Sequence, residues 1–248
     1  MRSVLVVREF DDFSRILAEH NFAVINCPTI EIVPLEDLSE FEARLDSIKI
    51  YDGVFLTSAN AAEIFRRKLL AKNINFHGVI YVLGKRSFDL LKNETLDLFF
   101  DAAANTAREM LEKISPDELK EKRFLFVRGE KSLRVVPDFL EKIAAIDEAI
   151  VYRTNKISVA NDKIKAIGEK SARGEIVCAC FFSPSGAEYF TEQFGSRVLR
   201  QMKIAAIGKT TADFLETKSL TVDFTAAKAT AESFANGLIK YLKNDYAR

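Results

Sequence analysis

Apolar residues along the chain fall into short runs, separated by stretches in which they recur at every third or fourth position. The runs read as strands buried on both faces, and the recurrences as amphipathic helices laid over them. Residues 4–7 make the first run, and Asp11 or Asp12 can cap a helix whose apolar positions are Phe13, Ile16 and Leu17. Residues 22–25 make the second. Residues 28–34 instead alternate apolar and polar between Pro28 and Pro34, a pattern that suits an exposed extended connector. Strands are then predicted over 53–56, 79–83, 96–100, 124–127 and 149–151, and later over 176–182, 203–207 and 220–224, with helical spacing between them. This alternation predicts an α/β protein with parallel sheets flanked by helices.

The chain also repeats itself. Leu56-Thr57-Ser58-Ala59-Asn60-Ala61-Ala62-Glu63-Ile64-Phe65 aligns without gaps on Phe181-Phe182-Ser183-Pro184-Ser185-Gly186-Ala187-Glu188-Tyr189-Phe190. The stretch 82–91 aligns in the same way on 206–215, and Thr106-Ala107 on Thr230-Ala231. A further match is out of order: residues 124–128 and 149–154 resemble 4–8 and 24–29. One copy is therefore continuous and the other is split around it. The expected organisation is two related domains, 36–150 and 1–29 plus 156–248, joined by connectors at 30–35 and 151–155. The two connectors should run side by side as a small two-stranded ladder.

Composition narrows the function classes. At 248 residues there is room for one large α/β domain or two ordinary ones. Thirty-six basic and 36 acidic residues cancel, so the overall charge points to neither nucleic acid nor a membrane surface. Cys27, Cys178 and Cys180 lie on apolar runs and read as small core residues. The only histidines, His20 and His77, lack partners at ligand spacing, which argues against a zinc site or a Ser–His–Asp triad. The first apolar run is too short for a signal peptide and no run reaches transmembrane length, so a cytoplasmic, monomeric protein is expected.

The loops after the predicted strands are rich in Ser, Thr and Gly with a few basic residues: Arg8, 58–60, 84–87, Arg128-Gly129, 183–186, 208–211 and Thr230. Ligands of open α/β sheets bind beyond the carboxyl ends of the strands. If the domains face each other, these loops would line a donor-rich cleft suited to a ligand with several carboxylates. Helix capping alone would equally explain Ser58, Ser183 and Thr230, and Tyr152 alone could be a packing residue. No Walker spacing or G-x-G-x-x-G is present to support a nucleotide.

Four motifs carry a family likeness: Ser-Pro-Ser-Gly at 183–186, Ala-Ile-Gly-Lys-Thr-Thr-Ala at 206–212, Thr-Ala-Glu-Ser-Phe at 230–234 and Val-Tyr-Arg-Thr at 151–154. Together, in their order along the chain, they resemble the uroporphyrinogen-III synthases over nearly the whole chain. The resemblance implies cyclisation of hydroxymethylbilane with inversion of its last ring through a spiro intermediate, without metal or organic cofactor. It implies Tyr152 as the proton donor. Ser58, Ser87, Ser183, Lys209, Thr211 and Thr230 would be substrate contacts, with Ser87 standing where many members carry threonine. A transient contact with the enzyme that forms the bilane is a further expectation. The rival reading is a non-catalytic two-domain protein that closes on a small anion.

Overall fold

The computed structural model describes residues 2–245. Its first strand, β1 (Ser3–Val6), is buried at every position, as a run without polar alternation requires. Helix α1 (Asp12–Glu19) begins where the Asp11 carboxylate accepts from Ser14 N, and buries Phe13 and Leu17. Strand β2 (Ala23–Asn26) follows, then β3 (Ile30–Pro34).

A second set of elements comes next. It comprises α2 (Ser39–Asp46), β4 (Gly53–Leu56), α3 (Ala59–Ala71), β5 (Val79–Val82), α4 (Lys85–Leu91) and β6 (Asp97–Phe99). It continues through α5 (Ala107–Leu111), α6 (Pro116–Leu119), β7 (Arg123–Gly129), α7 (Val135–Leu140) and β8 (Ala145–Lys156). The chain ends on α8 (Asn161–Ala172), β9 (Ile176–Phe181), α9 (Pro184–Phe194), β10 (Lys203–Ala206), α10 (Lys209–Thr217), β11 (Phe224–Thr225) and α11 (Ala231–Asp245).

Two compact units result: Met1–Glu31 with Asn155–Arg248, and Ile32–Thr154. The split unit holds a five-stranded sheet in the order β11-β10-β9-β1-β2, all of whose pairings are parallel. The other sheet has six strands in the order β3-β8-β7-β4-β5-β6, parallel from β8 to β6. The aligned segments of the sequence occupy equivalent places: β2-β1-β9-β10-β11 in one unit corresponds to β8-β7-β4-β5-β6 in the other. In each sheet the strand order reverses once, between β1 and β9 and between β7 and β4. Ligand crevices of open α/β sheets form at such reversals, beyond the carboxyl ends.

Each unit has apolar layers of its own. In the continuous unit the rings of Phe55 and Tyr81 stack at 4.5 Å, with Phe124 edge-on at 5.3 Å to Phe55. Burial there pushes the Tyr81 phenol up to about 12. In the split unit Phe13 packs against Phe182 and Phe234. Cys27, Cys178 and Cys180 are completely buried among these apolar layers, and burial lifts Cys27 to about 11.

Residues 30–34 form the edge strand β3 beside β8, with Pro34 at its last position, where no ladder donor is needed. Two elements differ from the sequence reading. Strand β8 runs for 12 residues, well beyond the predicted 149–151. The predicted strand at 220–224 shrinks to Phe224–Thr225.

Candidate active site

Strand β8 carries an irregularity that decides where its tyrosine goes. It pairs in step with β7 from Arg123↔Ala145 to Arg128↔Ile150, and then the register shifts so that Gly129 pairs with Tyr152. Val151 is the extra residue. A bulge of this kind turns two successive side chains towards one face, and Val151 and Tyr152 are both buried in the same apolar layer with Leu56, Val127 and Ala149.

From there the Tyr152 ring lies against Gly129 at the end of β7. Leu56 on β4 pairs with Val127 on β7, two residues before Ser58 and Gly129 respectively. The phenol reaches the serine: Tyr152 Oη donates to Ser58 Oγ at 3.1 Å. Ser58 is the cap of α3 and also accepts from Ala61 N at 3.1 Å. With both its acceptor positions engaged, the serine hydroxyl is left to donate. The tyrosine–serine pair therefore sits at the strand reversal between β7 and β4.

The end of β7 is tied down tightly. Gly129 N donates to Ser132 Oγ at 3.1 Å, Ser132 N donates to Gly129 O at 3.2 Å, and Glu130 N donates to Tyr152 O at 2.9 Å. Arg128 donates through Nη1 to the carbonyls of Gly129 (2.9 Å) and Glu130 (3.1 Å), and through Nε to Glu148 at 2.5 Å. Glu148 also pairs with Arg134 at 3.0 Å, and this neighbouring charge raises the already high arginine pKa.

Ser87 lies in α4 after the Gly84 turn, where φ of +84° places the glycine in the left-handed region. The serine is only 3% exposed, so its hydroxyl offers almost no surface. In the split unit Ser183 caps α9, accepting from Gly186 N at 3.1 Å, and Thr230 accepts from Ser233 N at 3.2 Å at the start of α11. Lys209 opens α10, is exposed, and pairs with Asp213 at 3.1 Å, whereas Thr211 is buried. Across the reversal between β1 and β9, the Arg8 guanidinium lies 4.4 Å from the Phe182 ring and pairs with Asp11 at 3.2 Å. Of the residues singled out from the sequence, the structure thus brings Tyr152 and Ser58 into contact.

Gly129 was named from the sequence only as part of the Arg128-Gly129 loop, without a role of its own. The out-of-order repeat held the available signal, because it placed 124–128 and 149–154 on neighbouring strands. Two surface hollows, of about 640 and 400 Å³, lie elsewhere. One is lined by Ile176 and Lys203, the first residues of β9 and β10, and the other by Asn75 and Leu96, which precede β5 and β6. Both open at amino ends of strands, whereas Tyr152 stands at the carboxyl end of its own sheet. Among the described residues no helix is long and apolar enough to cross a membrane.

The fold and the geometry define a class: a two-unit α/β protein built from one repeated, rearranged motif, with a phenol–hydroxyl pair at a strand reversal. Similarity to known proteins then narrows it. The family described as "Uroporphyrinogen-III synthase HemD" matches residues 11–236. A uroporphyrinogen-III synthase of Chlorobaculum parvum is 29% identical over 254 residues, which cover 98% of this chain and all of that one. Among solved structures, a mutant uroporphyrinogen III synthase of Thermus thermophilus superposes with a TM-score of 0.67 at 15% identity, covering 98% of this chain and 100% of that one. The synthetase of Helicobacter pylori gives 0.62 at 19% identity, again covering 98% and 100%. These two share the fold. The chain belongs to the uroporphyrinogen-III synthase family.

Proposed function

We propose that this chain closes hydroxymethylbilane into uroporphyrinogen III, a step of tetrapyrrole and haem biosynthesis, with Tyr152 as the proton donor. Family membership over residues 11–236 carries the reading. The phenol held 3.1 Å from Ser58 supports the assignment of roles.

The reaction asks for little chemistry from the protein. The terminal hydroxyl of the bilane leaves as water when a donor protonates it, while electrons from the first pyrrole nitrogen form an azafulvene. The substituted carbon of the last ring attacks that azafulvene to give a spiro intermediate. A carbon–carbon bond to the last ring then breaks and reforms at its other side, and loss of one ring proton restores aromaticity and balances the proton first supplied. Since the activated bilane also closes unaided to isomer I, the catalyst must hold one conformation and help the hydroxyl leave. Tyr152 supplies that help. The proton passes by way of Ser58, which accepts from the phenol and has its own hydroxyl proton left to give to the leaving group, so the pair acts as a relay.

The carboxyl-end loops of each unit supply donors for the substrate's carboxylates. Ser183, Lys209 and Thr230 are the proposed contacts at the surface of the split unit, whereas burial leaves Ser87 and Thr211 without a surface to offer the substrate. The helix-start N–H groups beside them contribute in the same direction.

Replacing Tyr152 by Phe keeps the ring and removes the proton. The rate of isomer III formation from bilane generated in situ should fall about ten-fold or more, the usual scale of general-acid help. An unchanged rate would remove Tyr152 from the chemistry.

A further inference from the structure

We propose that Gly129 is a positioning residue for the same reaction: its missing side chain is the seat that holds the Tyr152 phenol on Ser58. The inference rests on Tyr152 being the proton donor, and part of its test does not depend on that reading.

A glycine can be needed for its backbone or for its lack of a Cβ. Positive φ marks the first case, and among the described glycines it occurs at Gly84, Gly174 and Gly195. Gly129 is not among them, so its backbone conformation is open to an alanine. Space is the obstacle. A Cβ built at Gly129 would fall on Cε2 and Cζ of Tyr152, deep inside contact distance, and 2.8 Å from the phenol oxygen. The three nearest atoms all belong to this one ring.

Something must then move, and the backbone is the harder part to shift. Both polar groups of Gly129 are bonded, to Ser132 and Arg128, and Glu130 N holds the carbonyl of Tyr152. A tyrosine ring turns about its own side-chain bonds at a lower cost than a ladder with four such restraints. Alanine at this position would therefore swing the ring out and lift its hydroxyl away from Ser58, while the strand stays where it is. The end of the tyrosine most affected is the end that carries the proton.

The test is a double-mutant cycle, read both as activity and as melting temperature. Gly129→Ala and Tyr152→Phe should each slow isomer III formation by about ten-fold, and the double variant should be no slower than Tyr152→Phe alone. Losses that multiply in the double variant would overturn the proposal, because Gly129 would then act on something other than the phenol proton. So would an unaffected Gly129→Ala protein.

Stability separates the seat from the reaction. Gly129→Ala should lower the melting temperature of the wild-type and Tyr152→Phe proteins, which share the ring, and leave that of Tyr152→Ala unchanged. An equal drop in the Tyr152→Ala background would show that the glycine does not serve the ring, and the proposal would fall. This comparison holds even if the protein makes no isomer III, a result that would count against the functional reading alone. If Gly129→Ala does not fold, the pair Tyr152→Ala and Tyr152→Ala/Gly129→Ala still decides the matter.

Discussion

Asp147, near the start of β8, gathers partners from three other segments. Arg123 donates to its Oδ2 through Nε (3.0 Å) and Nη2 (2.8 Å), Tyr51 donates to the same oxygen at 2.9 Å, and Arg44 stands 3.3 Å from the other oxygen. Burial alone would raise this carboxyl, but the bonds from Arg123 and Tyr51 and the nearby charges outweigh it, so it sits below the usual carboxylate range. A group depressed in the folded state adds stability that is fully present above its unfolded pKa of about 4 and is lost as the pH falls through the folded value. Asp147→Asn should therefore melt below the wild type at neutral pH, and the gap should close as the pH drops below about 4. A gap that stays constant into acid would show that the charge of Asp147 contributes nothing. At this same scale the sequence was legible in part. Tyr152 stood out by its place at a crossing, whereas Gly129 did not, because its meaning depends on a ring 23 positions further along the chain.

At the level of elements, the aligned serines Ser58 and Ser183 do the same local work. Each caps a helix through a 3.1 Å bond to the third residue on, so replacing either by Ala should cost about 1 kcal/mol of stability. Their effects on the reaction should diverge. Ser58→Ala also removes the acceptor of the Tyr152 hydroxyl, and should lower kcat well beyond Ser183→Ala, whose effect as a carboxylate contact belongs in KM. Equal kcat losses in the two variants would contradict the assignment. Buried runs and caps were readable from the sequence because period and residue type report directly on burial. The length of β8 was not, because Asp147 and Glu148 break its apolar pattern, and only the structure shows them paired with Arg123, Arg128 and Arg134. At β11, the Asp223 carboxylate accepts from Ile204 N at 2.8 Å, so a side chain does there what a longer strand would have done.

The whole molecule consists of two units that share one five-strand order, and the split copy draws β1, an interior strand of its sheet, from the N-terminal segment. That organisation was visible as an out-of-order repeat, since equivalent strands and caps keep equivalent residues. Substrate identity was not visible in composition or spacing, because the reaction's modest demand for acid–base groups leaves few chemical signatures; it was reached only through the four motifs that resemble the synthase family. Family membership supplies what the residues alone could not. To act as proposed, the folded protein must override the unaided course of ring closure. The most direct measurement generates hydroxymethylbilane in the presence of the protein, oxidises the products and separates the uroporphyrin isomers. A product shifted from isomer I to isomer III is the predicted result; isomer I alone, from demonstrably folded protein, would contradict it.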